Sequence, residues 1–112
     1  MGLFDFFGSS NKADINALVS SAKQTAGASI VDVRTPEEYA QGHIEGAINI
    51  PLDSIDKATK RFPDTATPLY LYCLSGARSS NAASYLKKQG YTNITNMGGI
   101  RSWSGTVVKG SK

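Results

Sequence analysis

Short apolar runs, too brief for helices, alternate along this chain with segments that carry helix start and stop signals. That alternation restricts the fold more than any other feature. Ser29-Ile30-Val31-Asp32-Val33, Ala47-Ile48-Asn49-Ile50, Leu69-Tyr70-Leu71-Tyr72-Cys73 and Ile94 to Met97 read as strands. Between them, Ala13 to Ala26 places Ile15, Leu18, Val19 and Ala22 at helical spacing, with Asn11 or Lys12 near the start and Gly27 at the end. Thr35 can cap a helix that opens on Pro36, where a missing N–H costs nothing, and Glu37 and Glu38 suit its positive end. That helix stops at Gly42. A helix-like stretch from Leu52 to Phe62 ends at Pro63, and Ala82, Ala83, Leu86 and Gln89 share a face of a last helix that Gly90 stops, Lys87 and Lys88 pointing outward. Strands and helices alternating at this spacing predict an α/β fold with a mostly parallel central sheet, helices on both faces and right-handed crossovers.

At 112 residues the chain suits one domain, and 40% hydrophobic against 19% charged residues is ordinary globular composition. The expected organisation is an N-terminal extension over 1–12, the domain over 13–105 and a frayed tail over 106–112. No run approaches the roughly 18 apolar residues of a membrane span. The opening MGLFDFFGS lacks a basic n-region and an adequate apolar core, and Phe6 breaks the myristoylation pattern. The segment Leu3–Phe7 therefore reads as an apolar staple on the domain rather than a membrane contact, and the expected location is cytoplasmic. A single cysteine excludes an internal disulfide.

Charge is divided unevenly. Up to Asp64 there are 6 Lys and Arg against all 9 Asp and Glu; from Thr65 onward there are 6 cations and no carboxylate side chain. The cations are scattered, so nucleic acid is not an expected partner.

The chemistry sits where a strand ends. In open α/β sheets ligands bind at the carboxyl ends of strands, where loops lead into helix N-termini, and Cys73 occupies such an end. In the following Leu74-Ser75-Gly76-Ala77-Arg78-Ser79, Gly76 is free to take positive φ, so successive N–H groups can converge on the loop centre. A thiol there has its thiolate, the nucleophilic form, stabilised. Arg78 can hold two oxygens of a sulfonate, thiosulfate or phosphate. The alternative is a small buried strand cysteine beside a solvated arginine; the order of strand, glycine loop, arginine and helix favours the nucleophile.

These segments resemble those of single-domain rhodanese-like sulfurtransferases. The likeness runs from about Ile30 to Trp103. Ile30-Val31-Asp32-Val33-Arg34 with Pro36-Glu37-Glu38-Tyr39 is similar to the family's first strand and helix. Gly42-His43-Ile44-Glu45-Gly46-Ala47-Ile48-Asn49-Ile50-Pro51 is similar to its most recognisable stretch, Cys73 to Ser79 to its active-site loop, and Gly98-Gly99-Ile100 with Trp103 to its closing turn. The resemblance implies a three-layer fold with about five strands in the sheet. It further implies that Cys73 takes a sulfane sulfur from a small anionic donor, holds it as a persulfide and passes it to cyanide or a thiol, including a protein thiol. No metal and no organic cofactor is required.

Two rival readings stay open. Cys-dependent phosphatases and arsenate reductases also use a cysteine, an amide cradle and an arginine, but the resemblance to them calls for five residues between Cys and Arg. Here there are four, and no general-acid Asp lies in the loop. A non-catalytic module that only captures an anion or a partner is the other. Asp32 and Arg34 read as a local ion pair and His43 as a turn-tying residue, each a candidate supporting group behind the loop. Tyr39 and Trp103 read as core. After Trp103 the sequence departs from the family's frequent Gly-x-Pro.

Overall fold

In the computed structural model, which describes residues 14–111, the expected alternation is present. The first helix, α1 (Ile15–Gln24), starts later than its periodicity suggests, because Asp14 caps it by accepting the Asn16 N–H, and it ends at Thr25 rather than Gly27. It leads to β1 (Ser29–Asp32). The next helix, α2 (Pro36–Gln41), is held by a capping box: the Thr35 hydroxyl accepts the Glu38 N–H, and the Glu38 carboxylate accepts the Thr35 N–H. Two-residue strands β2 (His43–Ile44) and β3 (Ile48–Asn49) follow. The stretch after Pro51 is not one helix. It is a 3-10 segment over Leu52–Lys57, interrupted at Ser54 (φ −124°, ψ 28°), joined to the single turn α3 (Ala58–Arg61).

The remaining elements frame the loop of interest. They are β4 (Leu69–Cys73), α4 (Ala77–Lys88), β5 (Ile94–Gly99), a 3-10 turn over Ile100–Ser102, and β6 (Val107–Val108). Among the described residues the main sheet has four strands rather than about five, in the order β3-β1-β4-β5, every pair parallel. β2 pairs antiparallel with β6 in a separate ladder. The tail expected to fray is thus tied to the domain: Val108 pairs with His43, Val107 with Ile44, and the Gly110 N–H donates to the Ala40 carbonyl. A two-residue strand has no periodicity to read. The segments 1–12 and Leu3–Phe7 lie outside the described residues.

The sheet separates two cores. Val31, Val33, Leu69, Leu71 and Cys73 face α4, which contributes Ala82, Ala83 and Leu86. Ile30, Tyr72 and Met97 face α1, packing with Ile15, Val19 and Tyr39, and Trp103 lies half-buried against that cluster. Strands covered on both faces must be nearly continuously apolar, as β4 is. Among the described residues no helix is long and apolar enough to cross a membrane.

Candidate active site

β4 delivers Cys73 to the carboxyl edge of the sheet between β1 and β5, and the chain turns at once into α4. Alternation along the strand decides where the thiol goes. Leu69 and Leu71 face α4, so Cys73 does too, under the first turn of that helix. Gly76 takes φ +110°, a left-handed conformation that a side chain disfavours, and reverses the backbone over the sulfur.

Cys73 is 1% exposed, yet its Sγ lies among donors. The Gly76 N–H donates to it at 3.0 Å and the Ser79 N–H at 3.4 Å, and the Ser79 hydroxyl stands 3.5 Å away. Burial alone pushes the thiol up; the Ser79 hydroxyl, when its proton turns to the sulfur, together with the N–H groups of Ser79, Gly76 and Ser75 outweighs it. The net direction is below the ordinary thiol value. Leu74, Ser75 and Ala77 are exposed on the rim, Gly76 is half-buried, and Ser79 is fully buried. Helix α4 begins at Ala77, earlier than its apolar face suggests, so Arg78 and Ser79 belong to its first turn.

β5 forms the floor of this loop, and it tolerates nothing larger than glycine at Gly99. A Cβ there would sit 2.2 Å from the Leu74 carbonyl oxygen and 2.7 Å from the Ser75 Cα. Two depressions flank the loop. One of about 220 Å³ is walled by Val33, Thr35, Pro51, Leu52, Asp53 and Arg78; one of about 460 Å³ is walled in part by Ser75, Met97, Gly98, Gly99 and Ser102.

Arg78 does not present an empty fork. Its two terminal nitrogens donate to the two carboxylate oxygens of Glu38 at 2.7 and 3.0 Å, and both side chains are about one-third exposed. The Arg78 hydrogen bonds hold the Glu38 carboxyl well below the usual carboxylate range, at about 2, against a smaller opposing effect of burial. Glu38 was legible as a helix-capping residue; its partner 40 positions away was not, since sequence carries no signal for a contact between α2 and α4.

Asp32, Arg34 and His43 gather on the other side of the sheet. Asp32 is wholly buried and accepts from the Arg34 backbone N–H, Nε and a terminal nitrogen at 2.7–3.1 Å. The same arginine nitrogen reaches the Gly42 carbonyl at 2.7 Å, and the guanidinium lies 5.7 Å from the Tyr72 ring centre. Burial, reinforced by Asp32, pushes the Tyr72 phenol up, so it serves as a neutral partner and accepts the Ile44 N–H. His43 stacks on Tyr39 with ring centres 3.6 Å apart, its Nδ1 2.8 Å from the Tyr39 carbonyl. All three side chains join α2 and β2 to the sheet on the face away from Cys73.

The sequence overlooked Asn96. Its Oδ1 lies 2.7 Å from the Ser79 hydroxyl and accepts the Gly98 N–H at 3.0 Å. A bulge aims it there: Leu71 pairs with Asn96 and Tyr72 with Gly98, passing over Met97.

Comparison with known proteins identifies the family. Residues 14–106 match the model of the Rhodanese-like domain. Thiosulfate sulfurtransferase PspE of Escherichia coli (strain K12) is 39% identical over 95 residues, covering 84% of this chain and 91% of that protein. Thiosulfate sulfurtransferase GlpE of Pseudomonas entomophila (strain L48) is 36% identical over 86 residues, covering 76% and 78%. A solved structure described as rhodanese with anions from E. coli superposes with a TM-score of 0.69 at 38% identity, covering 74% of this chain and 99% of that one. Since the match takes in the sheet, the loop after Cys73 and the floor beneath it, the chain belongs to the rhodanese-like domain family.

Proposed function

We propose that this protein is a sulfurtransferase in which Cys73 carries the sulfur. The observation that carries the reading is the convergence of the Gly76 and Ser79 N–H groups on the Cys73 Sγ at the end of β4. Relatives named thiosulfate sulfurtransferase support it.

With thiosulfate as donor, the thiolate attacks the outer, sulfane sulfur. The new Sγ–S bond forms as the S–S bond of thiosulfate breaks, and sulfite leaves with that electron pair. The resulting persulfide anion is stabilised by the loop N–H groups of Leu74 to Ser79 and the N-terminal end of α4. Cyanide, or an acceptor thiolate, then attacks the outer sulfur and restores the Cys73 thiolate, giving thiocyanate or an acceptor persulfide. Because Cys73 is the lone cysteine, any thiol acceptor belongs to another molecule. Arg78 adds positive charge at the rim, and a donor that engages its fork has to displace or share Glu38.

The test is incubation with thiosulfate, a mass measurement for one added sulfur, and detection of thiocyanate after cyanide. The parent protein is expected to do both and Cys73→Ser neither. A Cys73→Ser protein of equal activity, or turnover of an aryl phosphate far above that of sulfur donors, overturns the assignment.

A further inference from the structure

The hydroxyl of Ser79 has more acceptors around it than protons to give. Its Oγ stands 2.7 Å from the Asn96 Oδ1, 3.1 Å from the Gly76 carbonyl, 3.5 Å from the Gly98 carbonyl and 3.5 Å from the Cys73 Sγ, and Ser79 is fully buried. A hydroxyl donates once. The oxygen end of the Asn96 amide is identified by the Gly98 N–H that donates to it at 3.0 Å. Asn96 is thereby pinned as an acceptor, and it offers the shortest contact.

The proton of Ser79 therefore points at Asn96, and a lone pair of the hydroxyl points at the sulfur. In that arrangement Ser79 accepts an S–H from the neutral thiol and donates nothing to the thiolate. The thiolate is left with the backbone donors. To donate to the sulfur, the hydroxyl has to rotate and give up its bond to Asn96.

We propose that Asn96 is a positioning residue that sets the ionisation of Cys73 by competing with the sulfur for the Ser79 proton. Under the sulfurtransferase reading, on which the consequence for catalysis rests, this competition withholds one donor from the free thiolate. The thiolate stays more basic and more nucleophilic than the loop amides and hydroxyl together would otherwise make it. Once the sulfur is loaded, Sγ is no longer the charged atom, and the hydroxyl keeps its bond to Asn96 at no cost.

The charged groups around Cys73 are the Arg78–Glu38 pair on α4 and α2, Asp53 in the wall of the flanking depression, Arg101 after β5, and the Asp32–Arg34 pair across the sheet. None of them is altered in the comparison that follows, and the Ser79→Ala background separates the Ser79 proton from any direct effect of the residue at position 96.

The experiment titrates Cys73, the lone thiol, by its alkylation rate against pH and by thiolate absorbance in the parent, Asn96→Ala, Ser79→Ala and the double variant. With the shortest acceptor gone, the Ser79 proton is shared between the sulfur and the Gly76 carbonyl at 3.1 Å, and Asn96→Ala is expected to raise the thiolate-to-thiol ratio below the midpoint by up to about threefold, part of the value of one net hydrogen bond. In the Ser79→Ala background the same substitution is expected to change nothing. Asn96→Asp keeps the shape and both bonds while strengthening the acceptor. It is expected to move the midpoint upward, and by more with Ser79 present than in the Ser79→Ala background. An unchanged or raised midpoint in Asn96→Ala, or an equal shift in both backgrounds, overturns the proposal. The titration needs no sulfur donor, so it stands or falls separately from the thiosulfate assay.

Discussion

Replacing Gly99 with Ala tests whether the loop is held over Cys73 by the floor that β5 provides. The added methyl carbon would lie 2.2 Å from the Leu74 carbonyl oxygen, 2.7 Å from the Ser75 Cα and 2.8 Å from the Leu74 carbonyl carbon. All three are backbone atoms, so no side-chain rotation relieves the contact. Ordinary contact begins near 3.4 Å, which requires the loop to lift by about 1.2 Å. A displacement of that size takes the Gly76 N–H, now 3.0 Å from the sulfur, beyond hydrogen-bonding distance. A hydrogen bond to a charged group is worth about 1.5–3 kcal/mol, and 1.36 kcal/mol corresponds to one pH unit of titration, so the Cys73 midpoint is expected to rise by about one to two pH units. The assay is the pH dependence of alkylation, with Gly46→Ala as control. Gly46 also has positive φ (+91°) but a Cβ there meets nothing within 4 Å, so that variant is expected to lose about 1–2 kcal/mol of stability and leave the thiol unchanged. A folded Gly99→Ala protein that titrates like the parent refutes the reasoning.

Three further outcomes follow from the same geometry. Asp32→Ala leaves the buried Arg34 without its carboxylate and is expected to cost about 3–5 kcal/mol in denaturant unfolding; a loss under about 1 kcal/mol contradicts a buried pair. The Glu38–Arg78 pair, one-third exposed and screened by solvent, is expected to add about 0.2–1 kcal/mol. Because the folded carboxyl is depressed from 4.5 to about 2, that stability is full above about pH 4.5 and lost as pH falls toward 2. The stability gap between the parent and Glu38→Gln is therefore expected to close across that window, and a constant gap counts against the pair. Arg101→Glu is expected to weaken apparent thiosulfate affinity more at low than at high ionic strength, since the Arg101 backbone N–H reaches the Leu74 carbonyl of the loop and the half from Thr65 contributes six cations and no carboxylate side chain. No dependence on salt reduces the charge asymmetry to composition.

The elements and the loop were written locally. Leu69 to Cys73 could only be a buried strand, Thr35-Pro36 with Glu38 could only open a helix, and Cys73 to Ser79 could be read as a nucleophile under a glycine turn, because these patterns depend on neighbours a few residues apart. Contacts between distant segments left no such mark. The pairing of β6 with β2, the capture of Arg78 by Glu38 and the direction of Asn96 toward Ser79 each join residues 17 to 65 positions apart. Closing such loops depends on the whole packed arrangement rather than on any local preference. Even the bulge at Met97, which aims Asn96, exists only because β5 is paired with β4. Sequence alone predicted that a cysteine would end a strand beneath converging loop amides; only the tertiary structure decided that this strand lies inside the sheet, which side chains hold the loop, and which proton the sulfur has to compete for.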